Sequence, residues 1–353
     1  KKISKILKFP VNATVKYPTI PNPIRLARHR SPRLTRIVKT ELIRLLGEVP
    51  ADMRRVGLTI NPAVQSSLDE ALSEISRRSE VTSIAGIVLS TATADVLAEG
   101  SWESGKDAQF SPAYFGSLQP GSTYKTFALL AALQQGVSLA QLVQSAPFES
   151  ICFQGLGNRP WRVRNYANTY RGTISLAEAF KWSDNTAFAR LTEILDVEQM
   201  FSLYKSFGLY EGEKASPAIV LGGNKGGISL LALVSAYRAI ARGGTYTYPR
   251  IIQYLEFDDG SHQFFRRSEE FHIVREYKPV LDIQKALLKA GPLIGGVSLA
   301  GKTGTTHTGS LLVSYDDQIA SAIWVGYRGS IAEGDPKATN ATTALERFLN
   351  KVS

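Results

Sequence analysis

Three short runs in this chain carry side chains suited to acyl transfer: Ser122-Thr123-Tyr124-Lys125, Ser183-Asp184-Asn185 and Lys302-Thr303-Gly304-Thr305. Serine is a poor nucleophile until a base takes its proton. A lysine can be that base when burial and a helix N-terminus lower its pKa. Ser122 and Lys125 stand three apart, so on a helix they share a face. Gln119-Pro120-Gly121 breaks the chain just ahead, and Thr126 to Leu133 is almost wholly apolar. That pattern predicts that Ser122 opens a buried helix, where free N–H groups and the positive dipole end favour an alkoxide-like transition state. Each run alone is weak, but their order, with gaps of roughly sixty and one hundred and twenty residues, makes the set specific.

The other two runs supply the remaining parts of such a site. Ser183 and Asn185 follow the helical pattern Leu176 to Lys181, a place where hydroxyl and amide side chains also serve as plain caps and turns. In a catalytic reading, Ser183 relays a proton between Lys125 and a leaving group, and Asn185 bonds a substrate carbonyl. Gly301 and Gly304 surround a basic, hydroxylated core. Gly304 lets a ligand come close to a strand edge, Lys302 supplies positive charge, and Thr303 and Thr305 can bind a terminal carboxylate. The backbone N–H groups of Ser122 and Thr305 would form the oxyanion hole.

Competing matches are poorer. Ser202-Leu203-Tyr204-Lys205 repeats the serine–lysine spacing, yet lacks the Pro-Gly break and any Ser-x-Asn after it, so it reads as helix surface. His29, His262, His272 and His307 fit neither a Gly-x-Ser-x-Gly nor a metal-ligand spacing, which excludes a Ser-His-Asp triad and a zinc site. No metal and no cofactor is expected. Gly222-Gly223-Asn224-Lys225-Gly226-Gly227 lacks the ending of a phosphate loop and reads as a tight turn.

The elements that must hold these residues divide the chain of 353 residues in two. Residues 1–56 are basic and Pro-punctuated, from Lys1, Lys2, Lys5 and Lys8 onward. They lead into an Arg-rich helix from about Ser31 to Gly47 with Leu34, Val38, Leu42 and Leu45 on one stripe. This region reads as a linker whose helix packs on the main domain. From residue 57 the pattern is mixed. A helix starts at Asn61-Pro62. Ile84–Leu89 and Val96–Ala98 form a hairpin, as do Ile251–Phe257 and His262–Phe265 around Asp259-Gly260. Ile319–Tyr327 reads as a late strand, Asn340–Val352 as a terminal helix, and the middle, about 122 to 243, as helix-rich. The expected class is α/β (α+β): one central antiparallel sheet built from both ends of the domain, flanked by helices, with an all-helical subdomain.

A net charge of +10 suggests a polyanionic neighbour. Nucleic acid is excluded as partner, since neither zinc spacing nor an RNP-like aromatic run is present. No apolar run of about 18 residues offers a membrane span. The single cysteine, Cys152, forbids an internal disulfide.

With those residues in place, the chain resembles the transpeptidase domain of penicillin-binding proteins, specifically the bifunctional class A enzymes. Gln119 to Lys125 followed by Leu129-Leu130-Ala131-Ala132-Leu133 resembles the family's nucleophile helix. Leu221-Gly222-Gly223 with Ile228–Tyr237, Ala241–Pro249, Ile323–Tyr327, and Thr59-Ile60-Asn61 with Gln65 and Ala71-Leu72 extend the likeness over residues 57–353. Pro21-Asn22-Pro23 looks like the tail of the class's glycosyltransferase domain. Its catalytic part is absent from this sequence, so no glycan polymerisation is expected.

The resemblance implies a D,D-transpeptidase acting on peptidoglycan stem peptides ending in D-Ala-D-Ala and acylated by beta-lactams. It would work at the outer face of the cytoplasmic membrane, with an anchor outside this chain, beside divisome or elongasome proteins. A D,D-carboxypeptidase or a non-catalytic wall-binding domain is the alternative. Two departures stand out: Pro112-Ala113-Tyr114 replaces the family's Asn-Arg-Ala, and Ser310-Leu311-Leu312-Val313 replaces its Asp-Ala-Trp-Phe. The second is expected to reshape the acceptor side. A class A beta-lactamase is disfavoured because Ser216 to Gly222 holds no glutamate to activate a water.

Overall fold

Ile319–Tyr327 carries apolar side chains on both of its faces, a pattern that demands cover on each side of a sheet. The computed structural model describes residues 32–105, 110–150, 160–210, 216–224, 226–294, 296–331 and 335–352. In it this strand is the centre of a five-stranded sheet. The strands are β1 (Val81–Ser90), β2 (Val96–Glu103), β3 (Ala300–Thr305), β4 (Gly309–Tyr315) and β5 (Ile319–Tyr327), in the order β3-β4-β5-β1-β2. Every pairing is antiparallel, and β5 meets β1 from Ile319↔Ser90 to Tyr327↔Val81. The early hairpin and the late strands thus close one sheet, as the sequence implies. The basic opening, His29 and Cys152 lie outside the described residues.

Helices cover both faces: α1 (Pro32–Leu46), α2 (Pro62–Ser76), α3 (Lys125–Gln134), α4 (Leu176–Lys181), α5 (Asn185–Ile194), α6 (Val197–Ser206), α7 (Leu230–Ala241), α8 (Tyr277–Ala290) and α9 (Asn340–Val352). Strand period two sorts the side chains between them. Ile84, Val88, Leu312, Ile323 and Val325 join Leu68, Leu72, Leu345 and Phe348 of α2 and α9. Ala85, Ile87, Leu311, Val313 and Ala322 belong instead to the larger core around Phe127 of α3 and Val234 of α7.

Local signals fix the ends. Asn61 caps α2, its side chain accepting from the N–H groups of Ala63 at 3.0 Å and Val64 at 3.3 Å. The Asp259-Gly260 hairpin forms, with Gly260 at φ +81°. It pairs with Met53–Leu58 in a separate three-stranded sheet rather than with the central one. On α1 the buried residues are Ile37, Val38 and Leu42, whereas Leu45 is exposed beyond the edge of the core. The helix-rich middle also holds two short ladders, Leu142–Ser145 with Gly172–Ser175 and Phe148–Ser150 with Trp161–Val163. Strands this short leave little periodicity to read. Among the described residues no helix is long and apolar enough to cross a membrane.

Phe348 is fully buried between α2 and the sheet. Phe348→Ala should lower unfolding free energy by about 3–5 kcal/mol through the cavity it leaves. Urea titration checks this; a loss under about 1 kcal/mol would show that the layer collapses to fill the space.

Candidate active site

The turn that carries Ser122 leads into a helix that has no wet face. All residues from Lys125 to Leu133 are buried, consistent with a helix apolar all round. Gly121–Tyr124 forms one tight 3-10 turn that runs straight into α3, so Ser122 precedes the α-helix instead of lying within it. Tyrosines from neighbouring helices pin this turn. Tyr237 of α7 donates its hydroxyl to Thr123 O at 2.8 Å, Tyr204 of α6 donates to Tyr124 O at 2.7 Å, and Tyr124 donates to Leu209 O at 2.6 Å. Ser122 itself is half-exposed, the only polar side chain of the pair that solvent reaches: Lys125 has 0% exposure.

Lys125 spends its ammonium protons on the second motif. Its Nζ donates to Ser183 O at 2.6 Å, Asn185 Oδ1 at 2.6 Å and Ser183 Oγ at 3.3 Å. Lys302 reaches the same hydroxyl from β3, at 3.0 Å. Two buried cations therefore share one serine oxygen. Burial pushes the Lys125 pKa well below its usual 10.5, the nearby Lys302 charge pushes it further, and Asp184 opposes them. Burial alone lowers Lys302 to about 8. Rings of Phe188 and Phe180 face the two ammonium groups at 5.8 and 5.9 Å. A lysine so placed gives up its proton readily and can then act as a base.

β3 closes the third side by lying directly against the nucleophile turn. A Cβ on Gly304 would stand 2.8 Å from Pro120 O and 3.1 Å from Thr123 Cγ2, so no side chain fits between strand and turn. Gly222, at φ +86°, abuts the Gly121 backbone from the other side, where a Cβ would collide with it. The loop read as a tight turn thus packs at Gly222 against the turn that carries Ser122. β3 is an edge strand, and along it Lys302 and Gly304 point inward while Thr303 and Thr305 are exposed.

The sequence-selected residues Ser122, Lys125, Ser183, Asn185, Lys302, Thr303, Gly304 and Thr305 therefore come from three separate stretches into one region. Asn185 is engaged on both ends of its amide, since Nδ2 donates to Arg164 O at 3.1 Å while Oδ1 accepts from Lys125 Nζ at 2.6 Å. Ser202 and Lys205 lie exposed on α6. His272 bonds Thr245 and His262 stacks on Phe264, both outside this region. Ser310 to Val313 are buried inside the sheet, paired with β3 and β5. Sequence reasoning passed over Phe180 and Phe188, and read Gly222 only as part of a tight turn, because what these residues do depends on what they face in space.

Gly304→Ala should push β3 away from the turn and slow acylation of Ser122 by roughly tenfold or more. Stopped-flow with a chromogenic acylating reagent measures this, and an unchanged rate would mean that strand and turn have room to part. Ser202→Ala should leave the rate as it is.

Residues 84–337 match the family model described as the penicillin binding protein transpeptidase domain. The chain is 25% identical to penicillin-binding protein 1A of Rickettsia typhi over 75% of its own length and 37% of that protein's. It is 28% identical to penicillin-binding protein 1A of Mycobacterium tuberculosis, over 88% of this chain and 40% of that one. It therefore spans about two fifths of the length of these relatives. PonA1 of Mycobacterium tuberculosis, solved in complex with penicillin V, superposes with a TM-score of 0.75 at 23% identity, covering 91% of this chain and 94% of that one. A serine-lysine turn, a Ser-Asp-Asn turn and a Lys-Thr-Gly edge strand on this fold, together with the match over residues 84–337, place the chain in the family of penicillin-binding protein transpeptidase domains.

Proposed function

We propose that this chain is a D,D-transpeptidase of the bacterial cell envelope that joins peptidoglycan stem peptides through an ester on Ser122. The observation that carries the reading is the convergence of Lys125 and Lys302 on Ser183 Oγ, at 3.3 and 3.0 Å, beside the turn that holds Ser122. Neutral Lys125 takes the Ser122 proton, and Oγ attacks the penultimate D-Ala carbonyl. The N–H groups of Ser122 and Thr305 hold the oxyanion. Ser183 passes the proton on to the departing D-alanine amine. A second stem peptide's amine then attacks the ester; the new C–N bond forms the crosslink as the C–O bond to Ser122 breaks, and the amine's proton passes through Lys125 to the Ser122 oxygen.

The free edge of β3 suits an extended peptide laid alongside it as an added strand. Lys302, Thr303 and Thr305 would receive the terminal carboxylate, and Asn185 would exchange its Arg164 partner for a substrate carbonyl. A beta-lactam presents the same carbonyl and carboxylate, and PonA1, of like fold, is known with penicillin V. The charge of +10 suits work beside anionic wall polymer and lipid headgroups.

Mass spectrometry of the intact chain after penicillin should show one adduct, located on the Ser122 peptide and missing from Ser122→Ala. Equal labelling of that variant would sink the assignment. Incubating the acyl-enzyme with an amine acceptor should yield amide in preference to free acid, which separates crosslinking from hydrolysis. Acylation should also have two pH limbs. Lys125 works without its proton and its pKa is depressed, so the rate rises as pH climbs through that value. Lys302 works with its proton and titrates at about 8, so the rate falls again above that pH. A rate still climbing well past pH 8 would remove Lys302 from carboxylate binding.

A further inference from the structure

Ser183 is one of few non-glycine residues here in the left-handed region, at φ +55°. Such a conformation persists only where the surroundings over-determine it. Directly after it α5 begins, and its first N–H groups have no partner within the helix. Asp184 caps one of them, accepting from Ala187 N at 2.8 Å. The N–H groups of Asn185 and Thr186 are out of its reach, and both are taken by a residue distant in sequence. Asn165 Oδ1 accepts from Asn185 N at 2.8 Å and Thr186 N at 3.0 Å.

The other end of the same amide completes a closed buried cluster. Asn165 Nδ2 donates to Asp184 Oδ2 at 2.7 Å, to Thr169 O at 3.0 Å and to Ser145 Oγ at 3.2 Å. Ser145 in turn donates to Asp184 Oδ2. Asp184 Oδ1 also accepts from Thr186 Oγ1 at 2.9 Å. Asn165, Asp184 and Ser145 are 8%, 2% and 1% exposed, so water offers no substitute for these bonds.

We propose that Asn165 is a positioning residue for acyl transfer: its amide clamps the strained Ser183 turn so that Ser183 O, Ser183 Oγ and Asn185 Oδ1 meet the Lys125 ammonium. The inference rests on the acyl-transfer reading above. Only an amide suits the place. The side facing α5 must accept and the side facing the Asp184 carboxylate must donate, so Asp at 165 would set two carboxylates together, and Leu would leave two N–H groups bare and take one of its donors from Asp184. Asn165 touches neither Ser122 nor Lys125 and acts through the turn.

The test is a reciprocal exchange. Asn165→Asp should lower the first-order acylation rate constant of Ser122 with penicillin by about a hundredfold. The dissociation constant of the non-covalent complex should change much less, because the β3 edge is untouched. The double variant Asn165→Asp with Asp184→Asn reverses donor and acceptor while keeping an acceptor for every α5 N–H. It should recover the rate to within about tenfold of the parent, a coupling between contacting residues that additive losses would not give. A double variant no faster than Asn165→Asp, or an Asn165→Asp rate equal to the parent's, overturns the proposal.

If Asn165→Asp does not fold, the folded double variant decides alone, by its rate. Amide exchange supplies a readout free of catalysis: protection of Asn185 and Thr186 should drop in Asn165→Ala and return in the double variant. Unchanged protection would overturn the clamp even where Ser122 reacts normally. A parent enzyme that penicillin leaves unlabelled would refute the acyl-transfer reading, and with it the assignment of Asn165 to that reaction, while exchange still shows whether the clamp exists.

Discussion

A fully buried ammonium bonded to neutral oxygens is the constraint around which this molecule is arranged. Lys125 is taken out of water without a carboxylate in its hydrogen-bonding shell: its partners are Ser183 O, Ser183 Oγ and Asn185 Oδ1. Removing a charge from water is costly and favours the neutral amine, which is why burial heads the causes of its depressed pKa. Lys302, buried on the same hydroxyl, increases the pressure. The fold thus denies that lysine the solvation an ammonium requires, the condition under which an amine can serve as a base.

The rest of the architecture keeps that arrangement rigid. α3 is dry on every side, and tyrosine hydroxyls from α6 and α7 fasten the carbonyls of the turn that leads into it. Phe127 packs edge-on against Tyr237 at 5.5 Å and beside Phe207 at 5.2 Å, so the helix cannot slide along its axis without breaking aromatic contacts. β3 is fixed by its ladder with β4 and by the absence of side chains at Gly304 and Gly222, which brings strand, turn and loop backbones into direct contact. Three segments distant in sequence are therefore held against one another by packing.

Much of this was legible in the chain. Apolar runs on either side of a small polar turn marked the first hairpin, a further apolar run marked the late strand, Asn61-Pro62 marked the start of α2, and Asp259-Gly260 marked the second hairpin's turn. The three motifs named the residues that meet around Ser183. Less legible were features whose signal is shorter than a period or lies in a partner far away. The ladders at Leu142–Ser145 and Phe148–Ser150 are too short to alternate, and the stripe on α1 lost Leu45 because the core ends before it. Asn165 carries no local mark at all, since its function is set by Ser145 and Asp184, twenty and nineteen residues away.

The sequence by itself determined which atoms can react, because a hydroxyl, an amine and an amide keep their chemistry wherever they lie, and it determined the layered class, because apolar periodicity decides what must be covered. Only the tertiary structure decided that Lys125 is dry, that a second lysine crowds it, and that β3 presents an open edge beside Ser122. Desolvation and the distance between charges depend on what the whole chain packs around a group, and no spacing along the chain encodes them.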